Sequence, residues 1–285
     1  MLRSIALALG IVLVPAMASA QATEGVLKRV AASKTVAIAY RADASPFSFL
    51  DDSKQPVGFS IDLCRRVVSQ IAQQIGVEGV QIKWVPVTIE TRISAVEKGQ
   101  ADMECGSTTV TLARSKQVNF SSYIFVDGTG ILVKSGTTTN RLADMGGKKI
   151  GVIPGTTNEK ALNDALKRTV INATVVPVKS RDEGLAMLEA GQIDAFASDR
   201  VLLLAMAPKA KDASSITLLL EDLSFEPYAI VLPRGDDGFR LAVNTALARI
   251  YRSGAIIEVF ARWFGAMGKP GLALEATYVF GAIPE

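Results

Sequence analysis

Four arginines, Arg41, Arg92, Arg114 and Arg181, stand just beyond segments that read as β-strands or near the start of the helix or loop that follows one. In α/β folds the carboxyl ends of the strands are where ligands bind, and a guanidinium fork suits one job there. Its planar N–H pairs hold a carboxylate through two parallel hydrogen bonds, and it does not lose its charge. Groups that can cradle the same anion lie nearby: Thr88, the run Gly106-Ser107-Thr108-Thr109, and the turn Pro154-Gly155-Thr156-Thr157. Asp199 is the one acid expected among these strand-end positions, and it suits an ammonium. Four cations against one carboxylate leave a surplus of three positive charges, which two carboxylates and one ammonium on a ligand would reduce to two. A dicarboxylic amino acid fits that count better than a neutral one. Several of these residues also have a purely structural alternative. Thr88 and Asp199 suit helix caps, Ser180 with Glu183 makes a capping box, and Arg41 or Arg181 taken singly suits a surface ion pair.

The elements that must bring these residues together are legible as alternating strand-like apolar runs and helix-period segments, which predict α/β units with largely parallel strands. Strands are expected at 35–40, 81–87 and 101–105, with helices at 60–75 and 88–98 closed by Gly76 and Gly99. A second set repeats the plan, with strands at 149–153, 174–178 and 193–197 and helices at 158–168 and 181–190. After Glu226 come one strand, 228–233, an amphipathic helix through Phe239 and Tyr251, and a helix at 256–264. One strand and two helices are too little for a third domain, so the chain is expected to return to the first lobe. The expected organisation is lobe 1 from 24–126 and 228–285 and lobe 2 from 127–227, with crossings near 124–128 and 224–228. Two crossings beside a cleft make a hinge. The tail, 265–285, is expected to lie on the surface, and Trp84, Trp263, Phe47 and Phe49 to form core or cleft wall.

Composition removes whole classes of chemistry. The 285 residues, 49% hydrophobic and 21% charged, can bury one large or two modest cores. With no histidine and two cysteines there is no Ser-His-Asp or Cys-His nucleophile, no His-ligated metal and no four-cysteine zinc site. No cofactor and no metal are expected. Thirty-one basic against twenty-eight acidic side chains is too balanced for a polyanion binder, so no nucleic-acid partner is expected. Residues 1–20 have the layout of a cleaved secretory signal: Arg3, an apolar run from Ile5 to Val14, Pro15, and the small-residue site Ala18-Ser19-Ala20. The run is short for a membrane span, and no cysteine stands at the cleavage site to carry a lipid. A periplasmic location is therefore expected. There Cys64 and Cys105 either pair or remain two buried thiols, and spacing does not decide between these.

The segments Arg41-Ala42-Asp43-Ala44-Ser45-Pro46-Phe47-Ser48-Phe49, Gly58-Phe59-Ser60-Ile61-Asp62-Leu63, Glu104-Cys105-Gly106-Ser107-Thr108-Thr109 and Asn119-Phe120-Ser121 resemble bacterial periplasmic amino-acid-binding proteins of ABC importers. The resemblance runs from about Lys34 to Phe264, and the Glu-Cys-Gly-Ser-Thr-Thr string with its spacing to Arg114 is similar to the glutamate/aspartate-binding branch. It implies the type II periplasmic-binding-protein fold: two parallel-sheet lobes joined by a two-strand hinge, with the ligand cleft between them. By the same resemblance Arg114, helped by Thr109 and by Thr156, clamps the ligand α-carboxylate. Asp199 and Ser107 hold the α-ammonium, and Arg41 and Arg92 meet the side-chain carboxylate. Two positions depart from the branch: Ile89 stands where a side-chain-binding serine is expected, and Arg181 where a histidine can occur.

The implied function is a monomeric binding protein that closes on glutamate or aspartate and delivers it to the permease and ATPase subunits of an importer. Cations facing one another across the cleft would favour an open form without ligand. Two alternatives remain: a protein for another polar amino acid or dicarboxylate, and a cyclohexadienyl-dehydratase-like enzyme on the same fold. The enzyme would need a general acid, for which the cleft is expected to offer only Asp199 and Glu90.

Overall fold

The computed structural model describes residues 25–137 and 139–284; the expected signal, residues 1–20, lies outside the described residues. Helix α1 (Val26–Ser33) leads into β1 (Thr35–Arg41), a small antiparallel sheet of β2 (Asp43–Ala44), β3 (Ser48–Leu50) and β4 (Pro56–Val57), then α2 (Phe59–Gln74), β5 (Gln81–Val87), α3 (Arg92–Glu97), β6 (Met103–Glu104) and the long β7 (Asn119–Asp127). The chain then forms β8 (Thr129–Lys134), β9 (Lys149–Val152), α4 (Thr157–Arg168), β10 (Thr174–Pro177), α5 (Arg181–Glu189), β11 (Ala195–Asp199), α6 (Arg200–Met206) and β12 (Ile216–Leu218). It ends with β13 (Glu226–Leu232), α7 (Asp237–Arg252), α8 (Ala255–Phe264) and α9 (Leu272–Gly281).

Two five-stranded sheets result, ordered β5-β1-β6-β13-β7 and β10-β9-β11-β8-β12. Parallel pairing holds for β5, β1 and β6 and for β10, β9 and β11. The strands next to the crossings, β7, β8 and β13, pair antiparallel with their neighbours, so each sheet is mixed rather than wholly parallel. The reason is connectivity: β7 runs out of the first sheet and β8 begins the second after the single residue Gly128, while β13 returns beside β7. At Gly128 a Cβ would stand 2.8 Å from the Asp222 side chain and 3.0 Å from the Ser224 carbonyl, so the outgoing and returning segments touch there.

The core of the first lobe is built by α2, α7 and α8. In α2 the apolar residues Phe59, Leu63, Val67 and Ile71 recur at helical spacing and are buried. Each such side chain contributes about 1.5–3 kcal/mol of burial. At its centre Phe47 meets Phe59, Phe125, Tyr228 and Phe264 ring to ring. Trp263 packs on Phe49, and Trp84 on Tyr40 under the guanidinium of Arg65. These aromatic residues are therefore packing groups of the first lobe. Cys64 and Cys105 are joined as a disulfide that ties α2 to the residue after β6.

The tail lies on the surface as expected, but largely as a helix. Residues 272–281 form helix α9, which lies on β7 and α7 and buries Leu274 and Tyr278. The Tyr278 hydroxyl donates to the Ile124 carbonyl at 3.3 Å.

Candidate functional site

Arg41 ends β1, Arg92 opens α3 just beyond β5, and Arg114 begins the turn after the loop that leaves β6. From the other lobe Arg181 opens α5 after β10, and Asp199 ends β11. The parallel strands of both sheets thus bring their carboxyl ends to one interface. Arg41, Arg92, Arg181 and Asp199 are all less than 8% exposed there. Their fields overlap. Burial, then the Arg181 charge, lowers Arg41 to about 10. Burial followed by Arg114 lowers Arg92, with Arg181 adding to it and Glu104 and Asp199 opposing. Burial also lowers Arg114 against the pull of Glu226, Glu104 and Asp199.

The four guanidinium groups are not equivalent. Arg41 donates from Nε and Nη2 to Asp43 at 2.8 and 2.7 Å. Arg181 donates from Nε to Ser198 at 3.2 Å and from Nη2 to Asp199 at 3.4 Å, and its Nη1 lies 3.7 Å from Asp43 across the lobes. Arg114 donates to the Thr109 carbonyl at 2.7 Å. Among the described residues neither Arg92 nor Arg114 has an ion-pair partner, and Nε of Arg92 is buried with no acceptor. Arg41 Nη1, Arg181 Nη1, Thr108 Oγ1 and both carboxylate oxygens of Glu104 are likewise buried without a hydrogen bond. Buried polar atoms are nearly always paired, and six of the seven side-chain orphans among the described residues, all but Arg240 Nε, belong to this site.

Three further carboxylates join the site. Asp43 sits on the two-residue strand β2; burial works to raise it, and Arg41 and Arg181 overcome this and hold it below the usual range. Glu104 ends the two-residue strand β6, fully buried, and burial pushes it up against the attraction of Arg92. Its carboxylate fills the space where a Cβ on Gly106 would be, 2.3 Å from that position. Glu226 opens β13 and accepts from Thr109 Oγ1 at 2.7 Å and from Thr129 Oγ1 at 3.3 Å. The site therefore holds four acids against four arginines, and the expected surplus of three positive charges does not survive folding. Asp43 and Glu104 could have been found by asking which acids flank the site motifs in sequence, since they lie beside Arg41 and Gly106, whereas Glu226 carries no such signal.

The hydroxyls divide similarly. Ser107 and Thr109 are buried on the loop after β6. Thr156 caps α4: its hydroxyl accepts from the Glu159 N–H at 3.1 Å and donates to the Ile153 carbonyl at 2.7 Å. It is Thr157 that reaches the other lobe, 3.4 Å from Thr109 Oγ1. Ser180 caps α5, accepting from Glu183 N–H at 3.1 Å, but the Glu183 carboxylate accepts from the Lys179 N–H, so the cap forms without the reciprocal half of a capping box. Asp199 makes no cap; its Oδ1 accepts from Asn158 Nδ2 at 3.3 Å. Glu90 is exposed and bonded to Thr88. Ile89, on the first lobe, packs against the apolar cluster of the second that contains Ile153, Val178 and Leu185.

Known proteins share this architecture. The chain is 31% identical over 260 residues to the glutamate/aspartate import solute-binding protein of Escherichia coli K12, covering 91% of this chain and 86% of that one. It is 32% identical over 241 residues to the L-glutamate/L-aspartate-binding protein of Pseudomonas aeruginosa, covering 84% and 80%. Among solved structures, an ancestral amino acid-binding protein described as a precursor of cyclohexadienyl dehydratase superposes with a TM-score of 0.72 at 26% identity, covering 84% of this chain and 99% of that one. The model of one family matches residues 36–266, which take in every strand but the start of β1 and both crossings between the lobes. The chain belongs to the bacterial extracellular solute-binding proteins, family 3.

Proposed function

We propose that the chain captures an acidic amino acid, glutamate or aspartate, between its lobes and hands it to the permease and ATPase subunits of an ABC importer. The observation that carries this reading is the pair Arg92, buried, and Arg114, half-buried, at the lobe interface and without an ion-pair partner among the described residues. A buried charge without a partner costs several kcal/mol, which a ligand carboxylate would offset at Arg92, while a second carboxylate would meet Arg114. In this reading Arg114 takes the α-carboxylate together with Thr109 and the N-terminal turn of α4, at Thr156 and Thr157. Asp199 and Ser107 take the α-ammonium, and Arg92 takes the side-chain carboxylate with Arg41 and Arg181 around it. The names of the Escherichia coli and Pseudomonas aeruginosa relatives favour the same ligand class.

A ligand touching both lobes favours the closed arrangement by the difference in its affinity for the two states. Repulsion between arginines is a weaker opening force than the sequence implies, because Asp43 stands between Arg41 and Arg181. The protein acts as a monomer in the periplasm, exported by residues 1–20, where the Cys64–Cys105 bond suits an oxidising compartment. A thermal-shift screen of the twenty amino acids and simple diacids tests the reading. Saturation at a hundred times Kd stabilises by about 2.7 kcal/mol, a rise of roughly 5 °C or more. Glutamate or aspartate should give the largest shift; a shift confined to neutral or basic amino acids overturns the proposal.

One observation favours a second reading. Glu104 is a carboxyl pushed up by burial inside the site, the property a general acid needs. Incubation with prephenate-like cyclic carboxylates, followed by chromatography, decides it: conversion supports an enzyme, and recovery of unchanged acid removes it.

A further inference from the structure

We propose that Asp43 is a specificity-determining residue of the cleft: by occupying the guanidinium groups of Arg41 and Arg181 it weakens the hold on a ligand's second carboxylate and narrows the preference for an acid over its amide. This rests on the reading of the cleft as an amino-acid site. The two-pronged edge of Arg41, Nε and Nη2, is the edge best shaped for a carboxylate, and both prongs already end on Asp43 at 2.8 and 2.7 Å. Arg181 is committed through Nε to Ser198 and through Nη2 to Asp199, and its remaining Nη1 lies 3.7 Å from the same Asp43 carboxylate. One acid of the first lobe therefore engages an arginine of each lobe. Both Nη1 groups are left buried without a hydrogen bond. They are what these two arginines still have to offer a ligand.

Asp43 is not a sealed structural counter-ion. Its side chain is 47% exposed, and with Ser180, Arg181 and Phe49 it lines a cavity of about 330 Å³ where the two lobes meet. An acid at that position acts on charge entering the cleft as well as on Arg41. A fixed negative charge a few ångströms from a ligand carboxylate opposes it while leaving a neutral amide of the same shape nearly unaffected.

The test is the ratio of affinities for glutamate and glutamine, and for aspartate and asparagine, measured by calorimetry on the native chain, Asp43→Asn, Asp43→Ser and Arg181→Gln. Ratios cancel any general loss of affinity. Both neutral replacements of Asp43 should raise the acid-to-amide ratio about tenfold or more, and Arg181→Gln should lower it. Should a variant be too unstable to titrate, its melting temperature with saturating acid or amide gives the same comparison. Ratios that stay within about twofold of native in both Asp43 variants, or that fall, overturn the inference. A native chain that binds neither acid nor amide overturns the underlying reading instead.

Discussion

Among the described residues Arg92 and Arg114 are the site arginines that make no ion pair, and substitutions there should separate the two ends of a ligand. Arg114→Ala should remove detectable binding of every amino acid in calorimetry, because all share the α-carboxylate. Arg92→Ala should weaken acids by about 10- to 100-fold, the worth of a charged hydrogen bond, and neutral amino acids far less. Equal losses for both ligand types in both variants would refute this division. The arginines were legible because a strand-end rule finds them. Asp43 and Glu226 were not, since neither ends a strand, and Glu104 was not because the strand expected at 101–105 closes at Glu104 instead. Asp43 is turned back by the small β2-β3-β4 sheet, Glu104 fills the space left by Gly106, and Glu226 is delivered by antiparallel pairing with Asp127. Thr156 shows the limit of residue-level reading. The motif locates the turn, but the hydroxyl that crosses to Thr109 belongs to the next residue.

Helix caps and the disulfide hold the site loops in place. Thr156→Ala should lower stability by about 1 kcal/mol, as loss of a cap does, while changing glutamate affinity less than tenfold, because that hydroxyl is already bonded to the Glu159 N–H and the Ile153 carbonyl. A larger affinity loss with an unchanged melting temperature would give Thr156 a direct ligand role. Replacing both Cys64 and Cys105 by serine should cost about 2–4 kcal/mol in denaturant unfolding and weaken binding, since the bond anchors the residue before Gly106-Ser107. Elements with strong periodicity, such as α2, α4 and the strands of the parallel halves, stand where the apolar pattern puts them. The strands β7 and β8 flank the crossing without the helix that marks a parallel unit, and β2 to β4 are two or three residues long, so neither carries a periodic signal. Helix α9 was hidden differently: Leu272, Val279 and Phe280 leave it apolar on its exposed side too, which blurs the amphipathic stripe that identifies a helix.

At the scale of the whole molecule, the crossing at Asp127 is a titrating element. Burial and the nearby Asp199 charge push Asp127 from 3.8 up to about 8. It accepts from Tyr228 Oη at 3.1 Å and from the Val201 N–H at 3.2 Å, joining both lobes. Between those two values the folded chain holds a proton that the unfolded chain has released, so its contribution to stability falls as pH rises across that window. Asp127→Asn should flatten the drop in melting temperature between pH 5 and pH 8; Glu104, pushed up as well, contributes with the same sign. An unchanged profile would mean that Asp127 is ionised in the folded state. Two sheets, two crossings and arginines from both lobes at one interface make capture of a doubly acidic solute the central claim. Calorimetric titration of the native chain with L-glutamate and L-aspartate tests it most directly. One-to-one saturable binding, tighter than to glutamine, asparagine or arginine, is the predicted result; saturable heat from neutral or basic amino acids with none from either acid would contradict it.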